Sequence, residues 1–172
     1  IYHDQKEDDL ALKVAQAAVD LNPYHAEAVK LLAVSFLRER LFAQARDTYD
    51  RYLQLRPLDR HARMLLGEVL MLMRNWNNAM LEFKELSRQD STNEDVFLHL
   101  GMCYIKLDRV EDAIAAYERA YEIEPRSLVA LEQLERLYNA KGMWKEARSA
   151  HQRLEALRAE QEAKEQGEEQ QP

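Results

Sequence analysis

Apolar and polar positions along this chain recur with a period of 34 residues, set by Pro23 and Pro57 and met again at Pro125, with Ser91 at the skipped midpoint. With the proline numbered slot 32, complete units begin at Ala26, Arg60, Glu94 and Leu128. Slot 8 then carries Ala33, Gly67, Gly101 and Glu135, and slot 11 carries Phe36, Leu70, Tyr104 and Tyr138. Slot 20 is Ala45, Ala79, Ala113 and Ala147, and slot 24 is Tyr49, Phe83, Tyr117 and His151. Slots 4, 7, 8 and 11 fall on one face of a first helix and slots 20, 24 and 27 on one face of a second, because residues three and four apart stack along an α-helix. Small residues at slots 8 and 20 let the two helices approach, and the large ones at 11 and 24 fill the space beside them. Short connections, such as Glu39-Arg40 and Lys141-Gly142, precede slot 17, where Phe42, Trp76, Val110 and Trp144 open the second helices. The pattern predicts an all-α chain of stacked antiparallel helix pairs, an α-solenoid.

Small at 8, aromatic at 11, Ala at 20, aromatic at 24 and Pro at 32 resembles the tetratricopeptide repeat. The stretch from Glu94 to Pro125 carries it most fully, with Leu100, Gly101, Tyr104, Ala113, Tyr117, Ala120 and Pro125 all in place. The resemblance implies a right-handed superhelix with repeats over residues 26–59, 60–93, 94–127 and 128–159, the last with an extended helix. Residues 1–25 read as the C-terminal part of a truncated repeat, with Tyr2 on slot 11, so the chain is expected to enter midway through a first helix of a longer parent. Residues 160–172 read as an acidic polar tail with little to bury. Two departures matter: Ser91 in place of proline predicts a looser turn, and Glu135 at the close-packing slot predicts an altered neighbour.

Composition narrows the function. Gly and Pro are scarce and the net charge is −7, which suits a helical protein and argues against nucleic acid as the main partner, for which a basic stripe would be needed. No apolar stretch is long enough to span a bilayer, so no direct membrane insertion is expected. Cys103 is the single cysteine, which excludes an internal disulfide and leans toward a reducing, cytoplasmic compartment. There is no phosphate loop, zinc spacing or nucleophile elbow, so the chain reads as no enzyme, with no cofactor and no metal. Asp95, His99 and Cys103 lie four apart on one helix face, but no further ligand is nearby in sequence, and Cys103 adjoins the packing residues Gly101 and Tyr104. His25 and His61 read as surface groups and His151 as half-buried packing.

In tetratricopeptide arrays the concave surface is lined by slots 2, 5, 9, 12 and 13 of the first helices. Carried onto this chain by that resemblance, the lining includes Val34, Leu37, Met64, Met71, Leu98, Met102 and Ile105, an apolar strip unusual for a solvent-facing surface. Lys30, Arg38, Glu68, Lys106 and Arg136 flank it. Methionines suit adaptable interfaces, so these twelve residues form the expected partner-binding groove for an apolar peptide or amphipathic helix of a partner protein. The competing reading packs the same Met and Leu side chains within the repeats. Lys30 occupies a slot used by the subtype that clamps a C-terminal carboxylate, but Val34, Met64 and Met102 stand where its polar partners belong. Two other roles stay open: a scaffold that self-assembles into a homo-oligomer, and the recognition arm of a larger enzyme or secretion complex.

Overall fold

A computed structural model describes residues 2–168, with side chains for residues 9–164. The Tyr2 side chain and residues 169–172 of the acidic tail lie outside what is described. The described residues fold into nine helices and no strand: α1 Tyr2–Leu21, α2 Ala26–Arg38, α3 Phe42–Leu55, α4 Arg60–Leu72, α5 Trp76–Gln89, α6 Glu94–Lys106, α7 Val110–Ile123, α8 Leu128–Ala140 and α9 Trp144–Glu168. The architecture is an all-α solenoid of helix pairs. It divides into two compact units, α1–α5 and α6–α9.

From α2 to α9 each first helix starts on slot 1 and each second helix on slot 17. The physical cause is the pair of chain reversals inside each repeat. Slot 34 is an N-cap: His25, Asp59 and Ser127 each accept the backbone N–H three residues on, while Asn93 takes the cap position without a side-chain bond. At slot 15 the backbone turns left-handed, at Arg40, Arg74, Asp108 and Gly142, with φ of 59°, 58°, 57° and 70°. The next N–H then bonds back to slot 11, as Leu41 does to Phe36 and Met143 to Tyr138, which closes the first helix.

The core of each pair is the contact between slots 8 and 24. A Cβ at Gly67 would stand 2.6 Å from the Phe83 ring, and one at Gly101 would stand 2.6 Å from Tyr117, so both positions are closed to a side chain. Phe83 is wholly buried. Burial of such a ring contributes roughly 1.5–3 kcal/mol. In α8–α9 this contact is replaced. Glu135 and His151 meet at 3.1 Å, and His151 is exposed where the periodicity predicted half-buried packing. A carboxylate at slot 8 leaves no dry pocket for a ring, and the imidazole stays at the surface with it.

At the Ser91 turn Arg119 donates to the Ser91 carbonyl at 3.1 Å, as Arg51 does to that of Pro23, and Asp90 accepts from the Thr92 N–H. The start of α1 is one unbroken helix from Tyr2, with no turn near residues 5–6 where the register would place one. At the other end α9 stays helical to Glu168. It buries Ala147, Ala150 and Leu154, and beyond them Arg158 pairs with Glu132 and Glu160 with Arg126, each at 2.6 Å.

Candidate partner-binding face

In the second unit, α6 and α8 lie side by side as consecutive first helices. Their spacing of apolar residues leaves Met102 and Ile105 of α6 and Val129 of α8 exposed by 44, 36 and 51 %. These three border a cleft of about 460 Å³ with Lys106, Gln133, Arg136, Leu137 and Ala140, and Tyr117 of α7 forms part of its lining. Four expected residues, Met102, Ile105, Lys106 and Arg136, therefore meet at one cleft. Leu98 is half-buried and does not line it.

Both charges of the cleft lining are positive. Tyr117 is wholly buried, and its hydroxyl has no hydrogen-bond partner. Burial pushes its pKa up to about 12 against a smaller opposing effect of Arg136, so the phenol stays neutral at ordinary pH. Sequence reasoning assigned Tyr117 to architecture alone and passed over Gln133 and Leu137, which sit on slots 6 and 10. The missed signal is helical: slots 2, 6, 9 and 13 form one stripe, and slot 10 borders it.

In the first unit α2 carries Lys30, Val34, Leu37 and Arg38, and α4 carries Met64, Glu68 and Met71. Val34, Leu37, Met64, Glu68 and Met71 are half-buried, and Arg38 is exposed. Lys30 is committed to structure. It donates to Asp59 at 2.8 Å and lies 5.5 Å from the centre of the Tyr52 ring. Asp59 also accepts from the Tyr52 hydroxyl at 2.7 Å and from the Ala62 N–H at 2.9 Å. Burial alone would raise the Asp59 pKa, but these hydrogen bonds, led by that of Lys30, hold it well below the usual carboxylate range.

The Asp95, His99 and Cys103 triplet holds no reactive group. Cys103 is buried and its thiol is pushed up to about 12 by burial, while His99 bonds to the Asp95 backbone carbonyl. A second cleft, of about 580 Å³ among α7, α8 and α9, has two hydrogen-bonded pairs in its lining. Tyr138 donates to Glu118 at 2.7 Å and Arg153 to Tyr121 at 3.0 Å. No helix among the described residues is long and apolar enough to cross a membrane.

Comparison with known families agrees with this geometry. The tetratricopeptide-repeat profile matches residues 4–59, and that of anaphase-promoting complex, cyclosome, subunit 3 matches residues 39–120. The chain carries tetratricopeptide repeats. This repeat protein is 28% identical over 131 residues to anaphase-promoting complex subunit 3 of Schizosaccharomyces pombe, covering 76% of its own length and 20% of the relative's. It thus spans about a fifth of the curated relative it matches. Among solved structures it is similar to MamA, with a TM-score of 0.85 at 20% identity over 94% of both chains. It is also similar to YrrB, described as a TPR protein with an unusual peptide-binding site, with a TM-score of 0.78 at 16% identity over 90% of this chain and 80% of that one. At these identities the structural likeness shows the tetratricopeptide fold and nothing finer.

Proposed function

We propose that this chain is a non-enzymatic protein-interaction module that holds an apolar or amphipathic segment of a partner protein on the first-helix face of α6 and α8. One observation carries the reading: Met102, Ile105 and Val129 are exposed together around a cleft with a charged rim. Exposed apolar clusters with polar borders mark interaction sites, and methionine adapts its shape to what it meets. The match to a subunit of a multiprotein complex and the likeness to a TPR protein with a peptide-binding site both support an interaction role. Within the first unit by itself, Val34 and Leu37 of α2 and Met64 and Met71 of α4 are half-buried and offer a second, less exposed apolar face.

Quantitative capture of partners by the wild-type chain, by Met102→Glu with Ile105→Glu, and by Leu37→Glu with Met71→Glu tests this. Loss of partners at an unchanged melting temperature is expected for the first variant. Equal recovery of the same partners by wild type and both variants rejects the groove, and a lowered melting temperature with retained partners assigns these side chains to packing. A second reading, self-assembly, has its own support in the exposed apolar stripe of α1, where Leu10, Val14 and Leu21 are 62, 56 and 89 % accessible.

A further inference from the structure

We propose that the α6–α8 cleft selects segments in which an internal aspartate or glutamate side chain sits among apolar residues, with its carboxylate taken by Arg136 and the Tyr117 hydroxyl. This rests on the groove reading above and adds the chemistry of the occupant.

The inference begins with the orphaned hydroxyl. Tyr117 is wholly buried, its ring is pressed against Gly101, and its O–H has no partner although it belongs to the lining of the cleft. A buried polar group without a partner is uncommon and calls for a physical account. Arg136, from the next first helix, lines the same cleft, and its charge opposes the larger effects of burial and of Cys103 on this phenol. Arg136 can only donate hydrogen bonds, and a neutral phenol has one proton to donate. A group that satisfies both must be an acceptor. Arg136 and Lys106 make the lining positive, and no carboxylate lines it, in a chain whose net charge is −7. The acceptor that complements this field is a carboxylate, through a charge-assisted bond to the guanidinium.

The apolar walls decide between a side chain and a chain end. Along α8, Val129 precedes Arg136 and Leu137 and Ala140 follow it, while Met102 and Ile105 face them from α6. A carboxylate at Arg136 therefore has apolar surface on both sides along the cleft. A segment that continues in both directions fills it, and a terminal carboxylate would leave one side uncovered. The corresponding tyrosine of the first unit marks the contrast. Tyr49 also has a buried, unpartnered hydroxyl, but the charged group acting on it is Glu68, which would repel a carboxylate. Anion selection belongs to the α6–α8 cleft.

A display library of random twelve-residue peptides, fused at both ends and selected on the full chain, tests this. Enriched peptides should combine Asp or Glu with Leu, Met or Phe and should bind as amidated synthetic peptides. Replacing the peptide's Glu by Gln should weaken binding about tenfold or more, the loss of one charge-assisted bond. Tyr117→Phe should weaken it about threefold to tenfold with no fall in melting temperature, and Arg136→Glu should shift enrichment toward Lys and Arg. Peptides that depend on Met102 but carry no acidic residue, or that need a free C-terminal carboxylate, overturn this inference and leave the groove reading standing. If no enriched peptide is weakened by Met102→Glu with Ile105→Glu, both fall.

Discussion

Tyr117 and Tyr138 are both buried phenols in the second unit, and they differ in what their hydroxyls meet. The Tyr138 O–H donates to Glu118 at 2.7 Å, whereas that of Tyr117 has no partner. Removing a made hydrogen bond costs about 1 kcal/mol and strands its acceptor, while removing an unmade one relieves a desolvated group. Thermal melts should therefore show Tyr138→Phe destabilised by about 1 kcal/mol and Tyr117→Phe unchanged or slightly stabilised. The opposite order would mean that Tyr117 is satisfied. Gly101 is the other residue that sets this site. An alanine there gains about 1 kcal/mol of helix propensity but meets a closed ring face, and overpacking costs about 1–3 kcal/mol. With the Cβ at 2.6 Å from Tyr117 the steric term prevails, so Gly101→Ala should lower the melting temperature.

At the scale of the helix, the ends decide more than the middles. Helix starts were legible because slots 1 and 17 follow directly from the apolar period. The left-handed turn residues were not: Gly142 alone advertises one, and Arg40, Arg74 and Asp108 adopt the same conformation as ordinary side chains. A side chain held there costs roughly 1–2 kcal/mol, which the closing hydrogen bonds of the turn offset. Arg74→Gly should then raise stability by up to about 1 kcal/mol, after the added freedom of the unfolded chain is counted, and Gly142→Ala should lower it. Chemical denaturation midpoints would check both, and a fall for Arg74→Gly would count against the strain argument. The cap of α4 adds a pH dependence. Asp59 binds its proton less readily folded than unfolded. The unfolded chain therefore takes up more protons as pH falls, and the contribution of Asp59 is full above the ordinary carboxylate pKa of about 4 and lost below it. The melting-temperature gap between wild type and Asp59→Asn should be widest near neutrality and shrink toward pH 3. Asn93, which caps without a side-chain bond, should tolerate alanine better than Ser127 does.

At the scale of the whole molecule, a repeat period assigns residues to slots, but the packing of neighbours decides which of them stay exposed. Slot 9 shows this: Val34 and Glu68 are half-buried, while Met102 and Arg136 are exposed. The period also carries one legible departure that became meaningful only with the structure. Slot 19 is Gln44, Asn78, Asp112 and Glu146 in the full repeats and Leu10 in α1, and slot 26 is Arg51, Glu85, Arg119 and Arg153 against Ala17. Leu10, Val14, Ala17 and Leu21 are all exposed, at successive spacings of four, three and four residues. That spacing is a coiled-coil seam, and it reads the same in both directions. Two copies related by a two-fold axis could set α1 against α1 in antiparallel fashion, with Leu10 opposite Leu21 and Val14 opposite Ala17. Isologous pairing of this kind needs no second surface. If the self-assembly reading holds, sedimentation should show a dimer that dissociates on dilution, and Leu10→Glu with Leu21→Glu should remain monomeric at every concentration. Because both side chains face outward, the variant should melt at the wild-type temperature. A wild-type chain that stays monomeric up to high concentration removes the assembly role and leaves α6 and α8 as the surface on which function rests.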